Sequence, residues 1–107
     1  MSKFPIIPEG DRLTEPEAVE ALCGFLETQG YNEAKYPQIW LYLPGKWVKL
    51  KPKDRDIART RNGEPHWHTV IRNIAAHQDK PGNPIFEGRL IKIDKGFKLA
   101  KRVKKTG

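Results

Sequence analysis

Residues 63–78 show the hydrophobic periodicity of one short amphipathic helix. Gly63 separates this segment from the preceding one, and Pro65 suits a first helical turn because its missing N–H would have no partner there. The side that would face a core comprises Trp67, Val70, Ile71, Ile74 and Gln78. At about 100° per residue, the opposite side carries neither a carboxylate nor a bulky apolar residue. It comprises Thr69, Arg72, Asn73 and Ala76, flanked by His66 and His68.

An earlier helix is predicted to begin at Thr14, because Glu17 completes a capping box three residues later. Gly30 is its predicted end. The apolar residues at helical spacing, which would form its buried side, are Val19, Leu22, Cys23 and Leu26. Four glutamates would face water. Residues 1–12 contain two prolines and a glycine, so they are predicted to be an extended arm that precedes the domain.

Residues 36–50 are compatible with two structures. A hairpin would turn at Pro44-Gly45, because aromatic and branched residues lie on both sides of that dipeptide. The helical spacing of the apolar residues favours the alternative, a helix at about residues 37–43 followed by a turn and a strand near residues 47–50. We adopt the helix as our prediction.

Residues 51–62 are predicted to be a basic connection that contains one helical turn around residues 54–59. Asp54 and Asp56 lie within it among lysines and arginines. We therefore expect these two carboxylates to be local salt-bridge partners.

The C-terminal part predicts a β-hairpin after a turn at residues 79–84. Its first strand would cover residues 85–93 with a bulge at Gly88, a tight turn would follow at residues 94–96, and residues 97–103 would form the returning strand. The side chains expected to face the core are Ile91, Ile93, Phe97 and Leu99. Those expected to point outward are Lys92, Lys95 and Lys98, with Arg89 nearby.

The charge of the chain is distributed unevenly. The 107 residues have a formal net charge of +7, yet residues 1–34 hold two basic and seven acidic side chains, and residues 35–107 hold eighteen basic and six acidic ones. Residues 101–107 are predicted to be a basic tail. Because the basic part includes both the central helix and the hairpin, the sequence predicts a polyanionic partner.

Several functional classes are disfavoured by the sequence. Cys23 is the one cysteine, so neither an intrachain disulfide nor a cysteine-based zinc site is expected. His66 and His68 would point about 200° apart on a helix and could not share a metal ion. No P-loop and no nuclease-like group of acidic residues is visible, so we expect no enzyme activity, no cofactor and no metal. Without an apolar run of bilayer length or a signal peptide, we expect a reducing cytoplasmic location, associated with the nucleoid if DNA is bound.

One set of residues extends over roughly residues 37–100. It comprises Ile39-Trp40, Tyr42-Leu43, Asp54, Gly63-Glu64-Pro65-His66-Trp67, Val70, Arg72-Asn73, His77, Gly82-Asn83, Phe86-Glu87-Gly88-Arg89-Leu90-Ile91 and Gly96-Phe97-Lys98-Leu99. These residues resemble the winged-helix modules attached to bacterial restriction endonucleases and related readers of DNA modification, and three helices followed by a basic hairpin is the element order of the winged helix-turn-helix. The resemblance implies a small α+β domain at residues 13–100, with three helices followed by a C-terminal β-hairpin wing. Since no nuclease site is visible, restriction activity is not inferred.

The expected function is therefore non-enzymatic binding of double-stranded DNA, in transcription regulation, restriction or phage biology. A recognition helix at about residues 65–78 would enter the major groove, where Arg72 and Asn73 would read base edges. The expected DNA-binding residues are His66, His68, Thr69, Arg72, Asn73, Lys80, Arg89, Lys92, Lys95, Lys98, Lys101 and Arg102.

Two other functions remain open at this stage. One is a protein-interaction module that docks a partner on the hairpin edge or on the aromatic residues of residues 36–47. The other is an RNA-binding basic winged helix, which ranks lower because no aromatic pair on a strand indicates a base-stacking platform. A homodimer is also left open, whereas a membrane or a small-molecule substrate is not inferred.

Overall fold

The protein has an α+β fold in which helices pack against a small antiparallel sheet. The structure is a computed structural model that describes residues 3–57 and 63–100. The predictions for residues 58–62, Lys101, Arg102 and the rest of the basic tail lie outside the described residues. In chain order the elements are α1 (Glu15–Glu27), a 3₁₀ turn (Gly30–Asn32), β1 (Glu33–Lys35), α2 (Tyr36–Tyr42), α3 (Pro52–Arg55), α4 (His66–Ala76), β2 (Leu90–Ile93) and β3 (Gly96–Leu99).

Helix α1 begins as the sequence predicts. The Glu17 carboxylate accepts the Thr14 N–H at 2.9 Å, and the Thr14 hydroxyl accepts the Glu17 N–H at 3.4 Å, which completes the capping box. The helix ends at Glu27, before the predicted Gly30, and Cys23 is buried as expected. The helix supplies much of the core, because every residue from Ala18 to Leu26 except Glu20 is buried.

The helical alternative for residues 36–50 is confirmed, since α2 covers Tyr36–Tyr42 and buries Ile39. The predicted strand near residues 47–50 is wrong. Val48 instead makes isolated bridges with Ile6 and Pro44. The N-terminal arm runs alongside this segment: the Ile6 N–H donates to the Trp47 carbonyl at 2.8 Å, and the Phe4 ring packs edge-on against the Trp47 indole at 4.9 Å.

Asp54 corrects a second expectation. It is fully buried, and its carboxylate accepts the backbone N–H groups of Leu13 and Lys51 at 2.7 and 2.9 Å. The neighbouring Asp56 is exposed, and its backbone carbonyl accepts the His66 N–H at 2.8 Å. Asp54 therefore joins α3 to Leu13 through its carboxylate, and Asp56 joins it to α4 through its backbone carbonyl. Within the described residues neither aspartate forms the local salt bridge predicted for it, and the predicted partners Arg59 and Arg61 lie outside those residues.

Helix α4 buries the predicted apolar side at Trp67, Ile71 and Ile74. The helix is shorter than expected, because Pro65 is its N-cap and His77 its C-cap. Gln78 lies beyond the helix and is exposed, so its assignment to the buried side is wrong. Helix α1 packs against α4 and thereby encloses the core.

The sheet has the strand order β1-β3-β2, with both pairs antiparallel. The C-terminal hairpin is confirmed, but β1 was not predicted from the sequence. Its central residue, Ala34, is buried and lies opposite Phe97 of β3. Strand β1 thus fixes the hairpin next to the start of α2.

The register of the hairpin differs from the prediction. Strand β2 begins at Leu90 rather than at residue 85, and Gly88 lies in a turn rather than in a strand bulge. Ile93 pairs with Gly96, so the turn takes two residues instead of three. A one-residue shift exchanges the two faces of a strand. Consequently Leu90 and Lys92 share the core side with Phe97 and Leu99, whereas the predicted core residue Ile91 is 44% exposed.

Within residues 3–57 and 63–100, every helix is too short or too polar to cross a lipid bilayer.

Candidate nucleic-acid interface

Helices α2 and α4 meet through three nearly parallel rings, which we call the ring stack (Tyr36, Trp40 and His68). The Tyr36 and Trp40 centroids lie 5.2 Å apart with an angle of 8° between the planes, and those of Trp40 and His68 lie 3.7 Å apart at 9°. Tyr36 and Trp40 share a helix side because they are four residues apart. The buried Trp67 indole packs edge-on against Trp40 at 5.3 Å.

Arg72 lies over this ring stack. Its guanidinium carbon is 4.7 Å from the Tyr36 centroid and 5.5 Å from that of Trp40, within the range of cation–π attraction. Glu64 accepts hydrogen bonds from Arg72 Nε at 3.0 Å and from Nη2 at 2.7 Å. This bidentate contact raises the pKa of Arg72. Two rings and one carboxylate therefore fix the direction of the guanidinium, and the Arg72 side chain as a whole is 28% exposed.

Lys92 of the hairpin contacts the same tyrosine ring. Its Nζ is 5.6 Å from the Tyr36 centroid and 6.0 Å from that of Phe97, and it donates to the Ile93 carbonyl at 2.6 Å. The expected outward direction of Lys92 is wrong, because the register puts this residue on the Phe97 side of the hairpin. Arg72 of α4 and Lys92 of β2 are thereby brought together around Tyr36.

His68 is part of the packing between the helices. Burial lowers the pKa of His68 below its usual value of 6.5, and the nearby Arg72 lowers it further, whereas Glu64 acts in the opposite direction. Its Nδ1 is buried, 3.9 Å from a Glu64 oxygen, with no hydrogen-bond partner among the described residues. The ring is therefore neutral at neutral pH and stacks on Trp40, where the sequence had suggested a contact with DNA.

The other side chains expected on the outward side of α4 are only partly accessible. His66 and Asn73 are half-buried, and Thr69 is half-buried with its hydroxyl oxygen enclosed and without a hydrogen-bond partner in the described part of the chain. Ala76 is exposed. Close to Arg72, this side of the helix therefore combines one amide, one imidazole and small side chains.

The remaining basic residues of the expected site have different surroundings. Lys98 Nζ is 3.8 Å from Glu33, and Arg89 Nη1 is 3.1 Å from Glu20. Lys95 is exposed at the hairpin turn with φ of 56°, and Lys80 is exposed after α4. Of residues 3–57 and 63–100, no acidic side chain lies within ion-pair distance of Lys80 or Lys95, so these two ammonium groups are available to an anion.

Tyr36, Trp40 and Glu64 were not among the residues predicted for the site. The sequence signal that could have identified the first two is an aromatic pair at four-residue spacing on a helix. Nothing in the local sequence of Glu64 indicates Arg72, eight positions later, as its partner. The contact depends on the turn between α4 and the preceding segment, where Gly63 has φ of 75°.

In the described part of the chain, no three histidine, cysteine, aspartate or glutamate side chains are grouped closely enough to hold a metal ion. A groove of about 410 Å³ lies between α1 and the segment that follows α4, and its rim mixes acidic residues such as Glu15 and Glu87 with basic ones such as Lys80. The chain was also compared with known proteins. It matches no protein-family model, no curated protein and no solved structure.

Proposed function

We propose that this protein binds duplex DNA as a small winged helix-turn-helix domain, with α4 in the major groove and the β2–β3 hairpin along the phosphate backbone. The observation that carries the proposal is that Arg72 of α4 and Lys92 of β2 lie 4.7 and 5.6 Å from the centroid of the same Tyr36 ring. The helix and the hairpin thus each place a basic side chain beside this ring, on the part of the surface that we propose as the DNA-binding face. The element order supports the same proposal, since α4 is followed directly by the hairpin.

The side chains on this face suit a DNA groove. Asn73 can present its amide to adenine, and the small Ala76 allows the helix to approach base edges closely. The exposed ammonium groups of Lys80 and Lys95 can contact phosphates, which position the protein without reading sequence. Helix α4 itself contains no carboxylate, so phosphates on either side of the groove would not be repelled by it.

The test is fluorescence anisotropy of a labelled mixed-sequence DNA duplex, titrated with the full chain at several salt concentrations and repeated with an RNA duplex. If about five phosphate contacts form, the logarithm of the association constant should fall against that of the salt concentration with a slope of about −4 to −5. Absence of binding at low salt would overturn the proposal. Preference for the RNA duplex would favour the RNA-binding alternative.

Lys95→Ala provides a variant for this titration, because Lys95 is exposed at the hairpin turn and pairs with no acid in the described residues. Loss of one phosphate contact should make the slope shallower by about 0.9. Lys46→Ala is the matched control. Lys46 is also exposed, but it lies over the Trp47 ring and lines a groove with Phe4, Glu27 and Thr28, which are not part of the proposed interface, so the slope should stay unchanged.

A second candidate function, docking of a partner protein, is favoured by helix α2. Its Leu41 and Tyr42 side chains are 68% and 55% exposed, although large apolar groups are more often buried. The double variant Leu41→Ser, Tyr42→Ser separates the two functions. Duplex DNA binding should be unchanged in it if α4 and the hairpin form the interface.

A further inference from the structure

We infer that Arg72 reads a guanine base and that Glu64 is the positioning residue that aims it. The inference rests on the proposed binding of duplex DNA, and it adds a base preference and a role for a carboxylate at the interface. The structure supports it through the donors that Arg72 keeps, the rigidity of its contacts and the charge beside it.

Arg72 keeps donors that Glu64 does not use. A guanidinium has five N–H groups. Glu64 takes the Nε–H and one N–H of Nη2. The edge formed by Nη1 and the second N–H of Nη2 points away from Glu64 and carries two parallel donors. Guanine offers two neighbouring acceptors in the major groove, O6 and N7, which match such a pair.

The Arg72 guanidinium is held in place by its neighbours. An exposed arginine must lose side-chain freedom when it binds a base, and that loss weakens binding. Here the guanidinium already lies against Tyr36 and Trp40 and is held by two hydrogen bonds to Glu64. Much of the ordering is therefore complete before DNA arrives, which favours a contact that depends on direction.

The negative charge of Glu64 beside Arg72 favours a base over a phosphate as the ligand of this arginine. Glu64 lies 2.7 Å from Nη2, so the pair is close to neutral as a whole. A phosphate bound at the free edge would be repelled by this carboxylate, whereas O6 and N7 of guanine carry no formal charge. Arg72 should therefore contribute sequence discrimination, and the lysines should contribute the salt-dependent part of affinity.

The experiment begins with selection of a preferred duplex from a randomised pool by the wild-type chain. Each guanine of the selected site is then replaced in turn by 7-deazaguanine, which lacks N7, and each G·C pair by A·T. Replacement at one position of the site should lower the affinity of the wild-type chain for the duplex by about 5- to 150-fold, as expected for one bidentate contact. Because this arm uses the unaltered protein, it does not depend on any variant folding.

Two variants assign the effect to the pair. Arg72→Lys should lose the preference at that position while the salt slope stays nearly constant. Glu64→Gln should reduce the preference, tighten binding to mixed-sequence DNA and steepen the slope by up to about 0.9, because one repulsive charge is removed. A merely structural role of Glu64 would change thermal stability but would not change base discrimination in this direction. Lys95→Ala is the control. Its affinity for DNA should depend less steeply on salt, and its preference for guanine should be unchanged.

The possible failures are distinguishable. In one outcome, the wild-type chain binds DNA with a steep salt dependence while Arg72→Lys leaves the guanine preference intact at every position of the selected site. That result would overturn the inference and leave the proposed function standing. Equal loss of affinity for all sequences in Arg72→Lys would identify Arg72 as a phosphate contact, which also overturns the inference. Absence of DNA binding by the wild-type chain at low salt would overturn both.

Discussion

The carboxylate of Asp54 holds the backbone N–H of Leu13 at 2.7 Å across 41 residues of sequence. Leu13 immediately precedes the N-cap of α1, and the same carboxylate caps α3 by accepting the Lys51 N–H. Because Asp54 is fully buried, water cannot replace it at the Leu13 N–H. One acidic side chain thus fixes the start of α1 against the short helix α3.

Asp54→Ala should destabilise the domain by about 2–5 kcal/mol, since it leaves a buried and a partly buried backbone donor unpaired. Thermal or urea unfolding followed by circular dichroism would measure the loss. Asp56→Ala is the matched control, because Asp56 is exposed and contributes its backbone carbonyl to the fold. Equal stability of Asp54→Ala and the wild type would contradict the role given to this carboxylate.

Trp67→Ala should unfold the domain rather than disable a site. Trp67 is 4% exposed and packs against Trp40, and truncation of such a side chain costs about 3–5 kcal/mol. The free energy of unfolding from urea denaturation is the measurement. Leu41→Ala, at an exposed apolar position, should change it by less than about 0.5 kcal/mol. A Trp67→Ala variant of normal stability would mean that α4 presents a different side to the core.

The helices could be predicted from the sequence because their signals are local. The Thr14–Glu17 capping box lies within one turn, and the buried side of α4 follows from the spacing of Trp67, Ile71 and Ile74. The sheet depends on contacts between distant residues. Strand β1 has three residues and no apolar pattern beyond Ala34, so its pairing with β3 is decided by the packed fold.

The candidate site was less predictable for a related reason. Periodicity indicated the side of α4 on which Arg72 lies, but it carried no information about Glu64 or about the ring stack on which Arg72 rests. The position of Lys92 was predicted wrongly, because a two-residue turn was taken for a three-residue turn. In each case the missing information is the geometry of a turn, which determines the direction of every later side chain.

Gly96→Ala should detach β1 from the hairpin. A Cβ at this position would meet the backbone carbonyl of Ala34 and would lie 2.7 Å from the Cα of Lys35, and neither backbone atom can move without breaking the strand pair. We expect a loss of about 1–3 kcal/mol, measured by thermal unfolding. Gly10→Ala is the control, since a Cβ there meets no atom within 4 Å. Unchanged stability of Gly96→Ala would contradict the close pairing of β1 and β3.

His68 should make the stability of the protein depend on pH. Burial holds the pKa of His68 in the folded protein below its usual value of 6.5, which the unfolded chain would show. The unfolded state therefore binds a proton more readily than the folded state. The contribution of neutral His68 to the free energy of unfolding is complete above about pH 6.5, and it is lost as the pH falls through the pKa of His68 in the folded protein. Protonation would also set a cation beside Arg72, although Glu64 offsets part of that repulsion.

The variant His68→Phe removes this titration while keeping a ring against Trp40. Urea denaturation of both proteins at about pH 7.5 and about pH 5 should show a larger loss in free energy of unfolding for the wild type than for the variant. Equal losses would mean that protonation of His68 is not opposed by the fold. The same ring stacks on Trp40, which lies under Arg72. If Arg72 reads guanine as proposed, acidification should therefore also weaken that preference, which base discrimination measured across this pH range would detect.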